Sequence, residues 1–176
     1  MTEKKGLTHI YYGNSKGKTT CCVGLSVRAS GAGKKVLFIQ FMKTGKSNEV
    51  RALEQLPGIE VLEAPRMKKF SFNMSEKEIE EMREANDQKF AEAAEKARGG
   101  FDLFVMDEAL NAIQKRFLDE GLLLAFLDGK PDGLEVVMTG RHPDDPLLER
   151  ADYVTEFRKV KHPYDKGILA RKGIEF

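Results

Sequence analysis

An excess of either charge is what this sequence most plainly lacks: 29 lysines and arginines stand against 28 acids, for a net charge of +1. With no net field, the surface as a whole is not expected to draw in nucleic acid or an anionic membrane, and any basic site must be local. Cysteine is scarce as well. Cys21 and Cys22 are adjacent, which suits neither a mutual bridge nor a metal site, and a reducing compartment fits them. Their place in the first turn of a predicted helix would lower a thiol pKa, while burial against a sheet would oppose that; packing is the expected role. No apolar run approaches the roughly 20 residues that span a bilayer, and the opening MTEKKG lacks the apolar core of a signal peptide. A cytoplasmic chain with no membrane or nucleic-acid partner is the expectation. Repeats, low-complexity stretches and linkers are also missing. At 176 residues and 41% hydrophobic content, the chain suffices for one α/β domain over 1–176.

What is present begins near the N-terminus. Residues 11 to 20 read YYGNSKGKTT. An apolar run ending at Tyr12 enters a loop of small and basic residues, and Lys18-Thr19-Thr20 opens a helical pattern. Strand, loop and helix in this order make a phosphate-binding loop. Gly13 and Gly17 let the backbone turn so that N–H groups point inward, and the helix adds its unpaired N–H groups and the positive end of its dipole. Lys18 is placed to lie along phosphate oxygens, and the Thr19 hydroxyl to take one position on a magnesium ion. The spacing is one residue short of the general rule: only Asn14, Ser15 and Lys16 separate Gly13 from Gly17-Lys18, and Tyr12 stands where the first glycine usually does. A glycine-rich turn that binds nothing is the plainer alternative.

The rest alternates strand and helix. Residues 8 to 12 read as the first strand, 19 to 30 as a helix stopped by Gly31 and Gly33, and VLFIQF at 36 to 41 as a strand buried on both faces. Gln40 and Lys43 follow at its carboxyl end, where open α/β sheets bind ligands; each is either a site residue or a polar strand end. A short helical stretch with Leu53 and Leu56 precedes a strand at 59 to 62. Residues 65 to 74, PRMKKFSFNM, place three basic groups among Phe70, Phe72 and two methionines without a clean period. Either this loop covers a ligand or partner, or its phenylalanines alternate onto the core. Ser75 and Glu78 form a capping-box signature for a long helix that Gly99-Gly100 end. FDLFVM at 101 to 106 is the next buried strand and runs into Asp107-Glu108, the usual second nucleotide motif when a phosphate loop precedes it. Helical segments at 109 to 128 are broken near Asp119 to Gly121.

LEVVMT at 134 to 139 ends in Gly140-Arg141, an arginine placed to grip phosphate oxygens or else to lie on the surface. Residues 143 to 150 start a short helix, 152 to 158 read as a last strand, and the tail from Val160 is expected to pack back on the sheet. His162 reads as a hydrogen-bonded loop residue rather than a ligand or base, since no His or Cys partner lies at ligand spacing. The alternation predicts an α/β fold: a P-loop NTPase-like three-layer sandwich with a mainly parallel central sheet. No Asn-Lys-x-Asp guanine motif, arginine-rich lid or nucleophile triad appears, which disfavours a GTPase switch and a small kinase.

Taken together, GNSKGKTT at 13 to 20, QFMK at 40 to 43, VMDEAL at 105 to 110, TGR at 139 to 141 and the tail at 151 to 175 resemble the P-loop corrinoid adenosyltransferases of cobalamin biosynthesis. The resemblance covers nearly the whole chain and includes the shortened glycine spacing. It implies transfer of the 5′-deoxyadenosyl group of ATP to the cobalt(I) of a reduced corrinoid, with release of triphosphate and ATP lying in reversed polarity over the loop. It further implies that the loop from Gly13 through Asn14, Ser15, Lys16, Gly17, Lys18, Thr19 and Thr20 binds the nucleotide, with Arg28 nearby. Lys18, Arg141 and Glu108 would be catalytic. Mg2+, or Mn2+ in its place, would sit at Thr19 and Glu108. Phe70 and Phe72 would pack under the corrinoid and displace its lower axial ligand. A homodimer and a flavodoxin-like electron donor also follow from the resemblance. Three departures stand out: Ser15 replaces the usual glycine, Phe72 the common tryptophan, and few residues precede the first strand. A plain P-loop ATPase and an ATP-binding regulatory protein are the alternatives, and release of triphosphate separates them from the transferase.

Overall fold

The structure is a computed structural model that describes residues 5–44, 47–67 and 73–175. Phe70, Phe72 and Lys46 lie outside the described residues. Five-residue apolar runs form strands because they bury both faces: Val36–Gln40 (β2) is buried at all five positions, as is Leu103–Asp107 (β4). Thr8–Tyr12 (β1), Ile59–Glu63 (β3), Glu135–Thr139 (β5) and Tyr153–Glu156 (β6) complete one sheet among the described residues, in the order β3-β2-β4-β5-β1-β6, with every pair parallel. Helices Lys18–Gly31 (α1), Asn48–Leu53 (α2), Glu76–Arg98 (α3), Ala109–Gln114 (α4), Glu120–Asp128 (α5) and Asp145–Glu149 (α6) connect them. The expected sandwich is therefore present, and the sheet is parallel throughout.

Alternation along each strand divides the core in two. Leu37, Ile39, Phe104, Met106, Val136 and Met138 point to the side covered by α3, α4 and α5, where Phe90, Ala93, Ala97, Leu123 and Phe126 meet them. Val36, Phe38, Leu103, Val105 and Val137 point the other way, onto Cys22 and Ala29 of α1 and Val50 and Leu53 of α2. Truncating a side chain as thoroughly enclosed as Phe38, which is 0% exposed, would cost about 3–5 kcal/mol. Local signals act as expected at α3, where the Ser75 hydroxyl accepts from the Glu78 N–H and the Glu78 carboxylate accepts from the Ser75 N–H at 2.7 Å. The break after α4 is real: Arg116 has φ 58, and Asp119 then caps α5 by accepting from the Leu122 N–H at 3.1 Å.

Because all strands run the same way, their carboxyl ends share one edge, and the register sets Gln40 beside Asp107 and Tyr11 beside Thr139. Two expectations are corrected. The last strand is shorter than 152 to 158 and is exposed at all four positions, because β6 is an edge strand. The tail does not pack back on the sheet; Val160, Leu169 and Ile174 are exposed, and the segment crosses the mouth of the phosphate loop, held by polar contacts instead.

Candidate functional site

The loop between β1 and α1 is shaped by its two left-handed glycines, Gly13 with φ 122 and Gly17 with φ 118. A Cβ on Gly13 would stand 2.4 Å from the Phe157 carbonyl oxygen, so only glycine lets the loop approach the chain leaving β6. That approach is bonded: the Phe157 N–H donates to the Tyr12 oxygen at 2.7 Å, and the Ser15 N–H donates to the Phe157 oxygen at 3.2 Å. Gly13 donates its N–H to the Arg141 oxygen at 3.0 Å, which ties the loop to the end of β5. The Lys18 ammonium curls over the loop and donates to the oxygens of Ser15 at 2.7 Å and Gly13 at 2.9 Å. Burial lowers its pKa, an effect opposed by Glu108 and reinforced by Arg141.

Behind the loop lies a polar centre. Asp107 is 0% exposed, yet its carboxylate is well bonded. It accepts from the Thr19 hydroxyl at 3.0 and 3.2 Å, from the Thr139 hydroxyl at 2.6 Å and from the Gln40 amide at 2.8 Å. These donors are what make a buried charge tolerable. The Gln40 amide also donates to Glu49 at 3.1 Å and accepts from the Ser47 hydroxyl at 2.8 Å, so the start of α2 is joined to the same centre. Gln40 thus matches neither reading left open for it: it is no solvated strand end, and it is buried behind the cleft, bonded to Asp107.

Glu108 follows in the left-handed region at φ 62, a conformation costly for a non-glycine residue and most often found where function requires it. Its N–H donates to the Thr139 hydroxyl at 2.9 Å, and its carboxylate accepts from the Asn111 amide. Burial and then the Asp107 charge push its carboxyl pKa up, while Lys43, Asn111 and Lys18 pull it down. Asn14, Ser15, Lys16, Gly17, Lys18, Thr19, Thr20, Glu108 and Arg141 all line one cleft of about 580 Å³. Lys43, His162 and the tail residues Ala170, Ile174 and Glu175 close its other side.

The donor set suits a hard cation sharing its shell with phosphate. Thr19 gives its proton to Asp107, which leaves hydroxyl lone pairs for a metal, and Glu108 supplies a carboxylate at the same cleft. Among the described residues, no group of three or more His, Cys, Asp or Glu could hold a metal alone. One hydroxyl and one carboxylate are a donor set Mg2+ can use, since it keeps waters and takes further ligands from substrate phosphates.

Residues 4–176 match the family described as ATP:corrinoid adenosyltransferase BtuR/CobO/CobP. The chain belongs to this family. It is 31% identical over 175 residues to the corrinoid adenosyltransferase of Escherichia coli (strain K12), covering 99% of this chain and 87% of that protein. To the corrinoid adenosyltransferase of Pseudomonas aeruginosa it is 32% identical over 180 residues, covering 99% and 85%. Among solved structures, the cytoplasmic domain of EssC matches with a TM-score of 0.54 at 20% identity, over 94% of this chain and 34% of that one. EssC (ATPases 2 and 3) from Geobacillus thermodenitrificans matches at 0.50 and 18%, over 97% and 35%. At such identities these two bear on the fold alone, which is that of P-loop ATPases.

Not every residue expected from the adenosyltransferase resemblance converges on the cleft. Arg28 is exposed in the last turn of α1, ten residues beyond Lys18, or about 15 Å along the axis. Phe70 and Phe72 are outside the described residues. Cys22 is buried, and its thiol donates to the Thr19 oxygen at 3.1 Å; burial and then Asp107 push its pKa well up, which leaves it a packing residue, whereas Cys21 is exposed, against the packing expected of both. His162 accepts from the Tyr164 N–H at 3.2 Å, as a loop histidine should. Sequence reasoning missed Asp107 as the hub, together with Thr139 and Asn111. The Thr-Gly-Arg triplet at a strand end was a usable signal for Thr139; Asn111, one turn into a helix, offered none.

The tail contributes contacts no local pattern announces. Lys16 donates to the Ile174 oxygen at 3.2 Å and pairs with Glu175 at 3.4 Å, while the Lys159 N–H donates to the Asn14 side chain at 3.2 Å. Arg171 hydrogen bonds hold the Glu175 carboxyl down to about 2, so the acid facing Lys16 is charged at any ordinary pH.

Proposed function

We propose that this chain transfers the 5′-deoxyadenosyl group of ATP to the cobalt(I) of a reduced corrinoid and releases inorganic triphosphate. One observation carries the reading: a phosphate loop, a buried Asp107 that orients the Thr19 hydroxyl, and Lys18, Glu108 and Arg141 line a single cleft in a chain of this family. The lining is equipped to hold a polyphosphate, and the nucleophile comes from the corrinoid. The cobalt electron pair forms the bond to C5′ as the C5′–O bond breaks, and that bond's electrons leave on triphosphate. The work left to the protein is alignment and stabilisation of the departing charge. Asn14, Lys16, Lys18, Thr20 and the loop N–H groups would hold the triphosphate, with Arg141 bracing it from the end of β5. Thr19 and Glu108 would hold Mg2+, which neutralises phosphate charge when bound.

The same reading assigns Phe70 and Phe72 to the corrinoid, as an apolar wall that offers cobalt no replacement ligand and so eases its reduction. One domain carrying both substrates, a homodimer, a flavodoxin-like donor and a cytoplasmic location complete it. The family resemblance supports these; for the location, no helix among the described residues is long and apolar enough to cross a membrane. The test is an anaerobic assay with ATP, Mg2+ and chemically reduced cobalamin. Light-sensitive adenosylcobalamin with one triphosphate per turnover is expected. ADP or phosphate with no change in the corrinoid would overturn the reading. A second arm starts from cobalt(II) cobalamin and reduced flavodoxin, and turnover there is the expected mark of the aromatic wall and the donor. No turnover in that arm, with the first intact, would remove both.

A further inference from the structure

We infer that Asn111 is a positioning residue that holds the Glu108 carboxylate at a set distance from the main chain at Arg141 and, through it, from the phosphate loop. Its side chain has two ends and both are used. The amide nitrogen donates to Glu108 Oε2, and the amide oxygen accepts from the Arg141 N–H at 2.9 Å. The orientation is forced, since a flipped amide would set an oxygen against a carboxylate and an NH2 group against an N–H. The link continues beyond Arg141, whose own carbonyl accepts from the Gly13 N–H at 3.0 Å. An unbroken series of hydrogen bonds therefore runs from Glu108 through Asn111 and Arg141 into the phosphate loop.

The fold makes room for this contact. Gly140 lets α4 lie against the end of β5; a Cβ there would stand 2.5 Å from the Leu110 Cβ and 3.0 Å from the Asn111 nitrogen. Asn111 itself lines the cleft. Glu108 is only partly buried, so packing alone does not fix its carboxylate. With the amide in place, a cation held at Glu108 would keep its spacing from the phosphate loop, which the Arg141 main chain ties to Asn111. This inference rests on the role proposed above for Glu108.

The experiment measures ATP binding by calorimetry as a function of Mg2+, without corrinoid, in wild type, Asn111→Leu, Glu108→Gln and the double variant, alongside kcat and KM for adenosylation. Asn111→Leu removes both bonds at similar volume. We expect it to raise the Mg2+ concentration for half-maximal ATP binding about tenfold and to lower kcat by about as much, the size of one hydrogen bond to a charged group. The KM for corrinoid should not change. In the Glu108→Gln background the Mg2+ effect of Asn111→Leu should vanish, because its path runs through the carboxylate. Asn111→Asp, which keeps the acceptor for Arg141 but repels Glu108, should shift the Mg2+ dependence in the same direction and is the variant to use if Asn111→Leu does not fold. An unchanged Mg2+ dependence, or an equal loss in both backgrounds, would overturn the assignment and mark Asn111 as packing. Wild-type ATP binding indifferent to Mg2+ would instead remove the role given to Glu108, and the inference with it.

Discussion

On the sheet side of the cleft, Asp107 is wholly buried and takes hydrogen bonds from Thr19, Thr139 and Gln40; on the tail side, Lys16 meets Glu175 with their side chains 46% and 17% exposed. The first arrangement is expensive to disturb. Each buried donor left without its acceptor costs about 1–3 kcal/mol, whereas an exposed ion pair contributes about 0–1 kcal/mol. The sheet side is thus costly to disturb and the tail side is not.

Substitutions at four positions sharpen or break that contrast. Lys18→Ala should have the largest effect, a loss of about 100-fold or more in kcat/KM for ATP, the scale of removing one preorganised donor from a developing charge. A loss under about tenfold would mean that the sheet side does not depend on its one loop-bound ammonium. Asp107→Ala should follow. It strands the Thr139 hydroxyl and the Gln40 amide and should lower stability by about 3 kcal/mol, read from the urea midpoint. If Glu175→Ala lowers the midpoint as much, the two sides do not differ.

Glu108→Gln should separate stability from activity. Burial and Asp107 raise the Glu108 carboxyl pKa in the folded chain, so the folded state holds a proton that the unfolded state releases, and stability falls as pH rises above the ordinary value of 4.5. The amide avoids that penalty. Its thermal midpoint should rise at pH 7, with no gain below pH 4.5. Adenosylation should drop at the same time. A lower midpoint at neutral pH would show that the Asn111 and Lys43 contacts outweigh burial.

The smallest effect belongs to Glu175→Gln. Its carboxylate competes with phosphate for Lys16, so the variant should bind ATP about two- to fivefold more tightly, the worth of one exposed pair. Because that carboxyl is held near 2, the difference should be constant between pH 5 and 8. Weaker binding would show that the tail grips the nucleotide rather than yielding to it.

Much of this was legible in one dimension. Strand identity followed from short apolar runs, the start of α3 from Ser75 and Glu78, and the phosphate loop from glycine, lysine and threonine at fixed spacing between a strand and a helix. All of these are local, set by propensity, turn chemistry and the order of neighbouring residues. The family was legible for the same reason, since its motifs are contiguous stretches.

The tertiary structure decided what joins residues distant along the chain. Interposing β5 between β4 and β1 brought Thr139 to Asp107 and Arg141 to Asn111, pairs separated by about thirty residues. Only the folded chain laid the tail over Lys16, 158 residues away from Ile174. Such contacts depend on strand order and helix packing, which arise from the summed burial of two cores rather than from any residue's own neighbours. The sequence therefore determined which chemistry the chain carries. The fold decided which acid is buried and bonded, which acid lines the cleft, and what the tail touches.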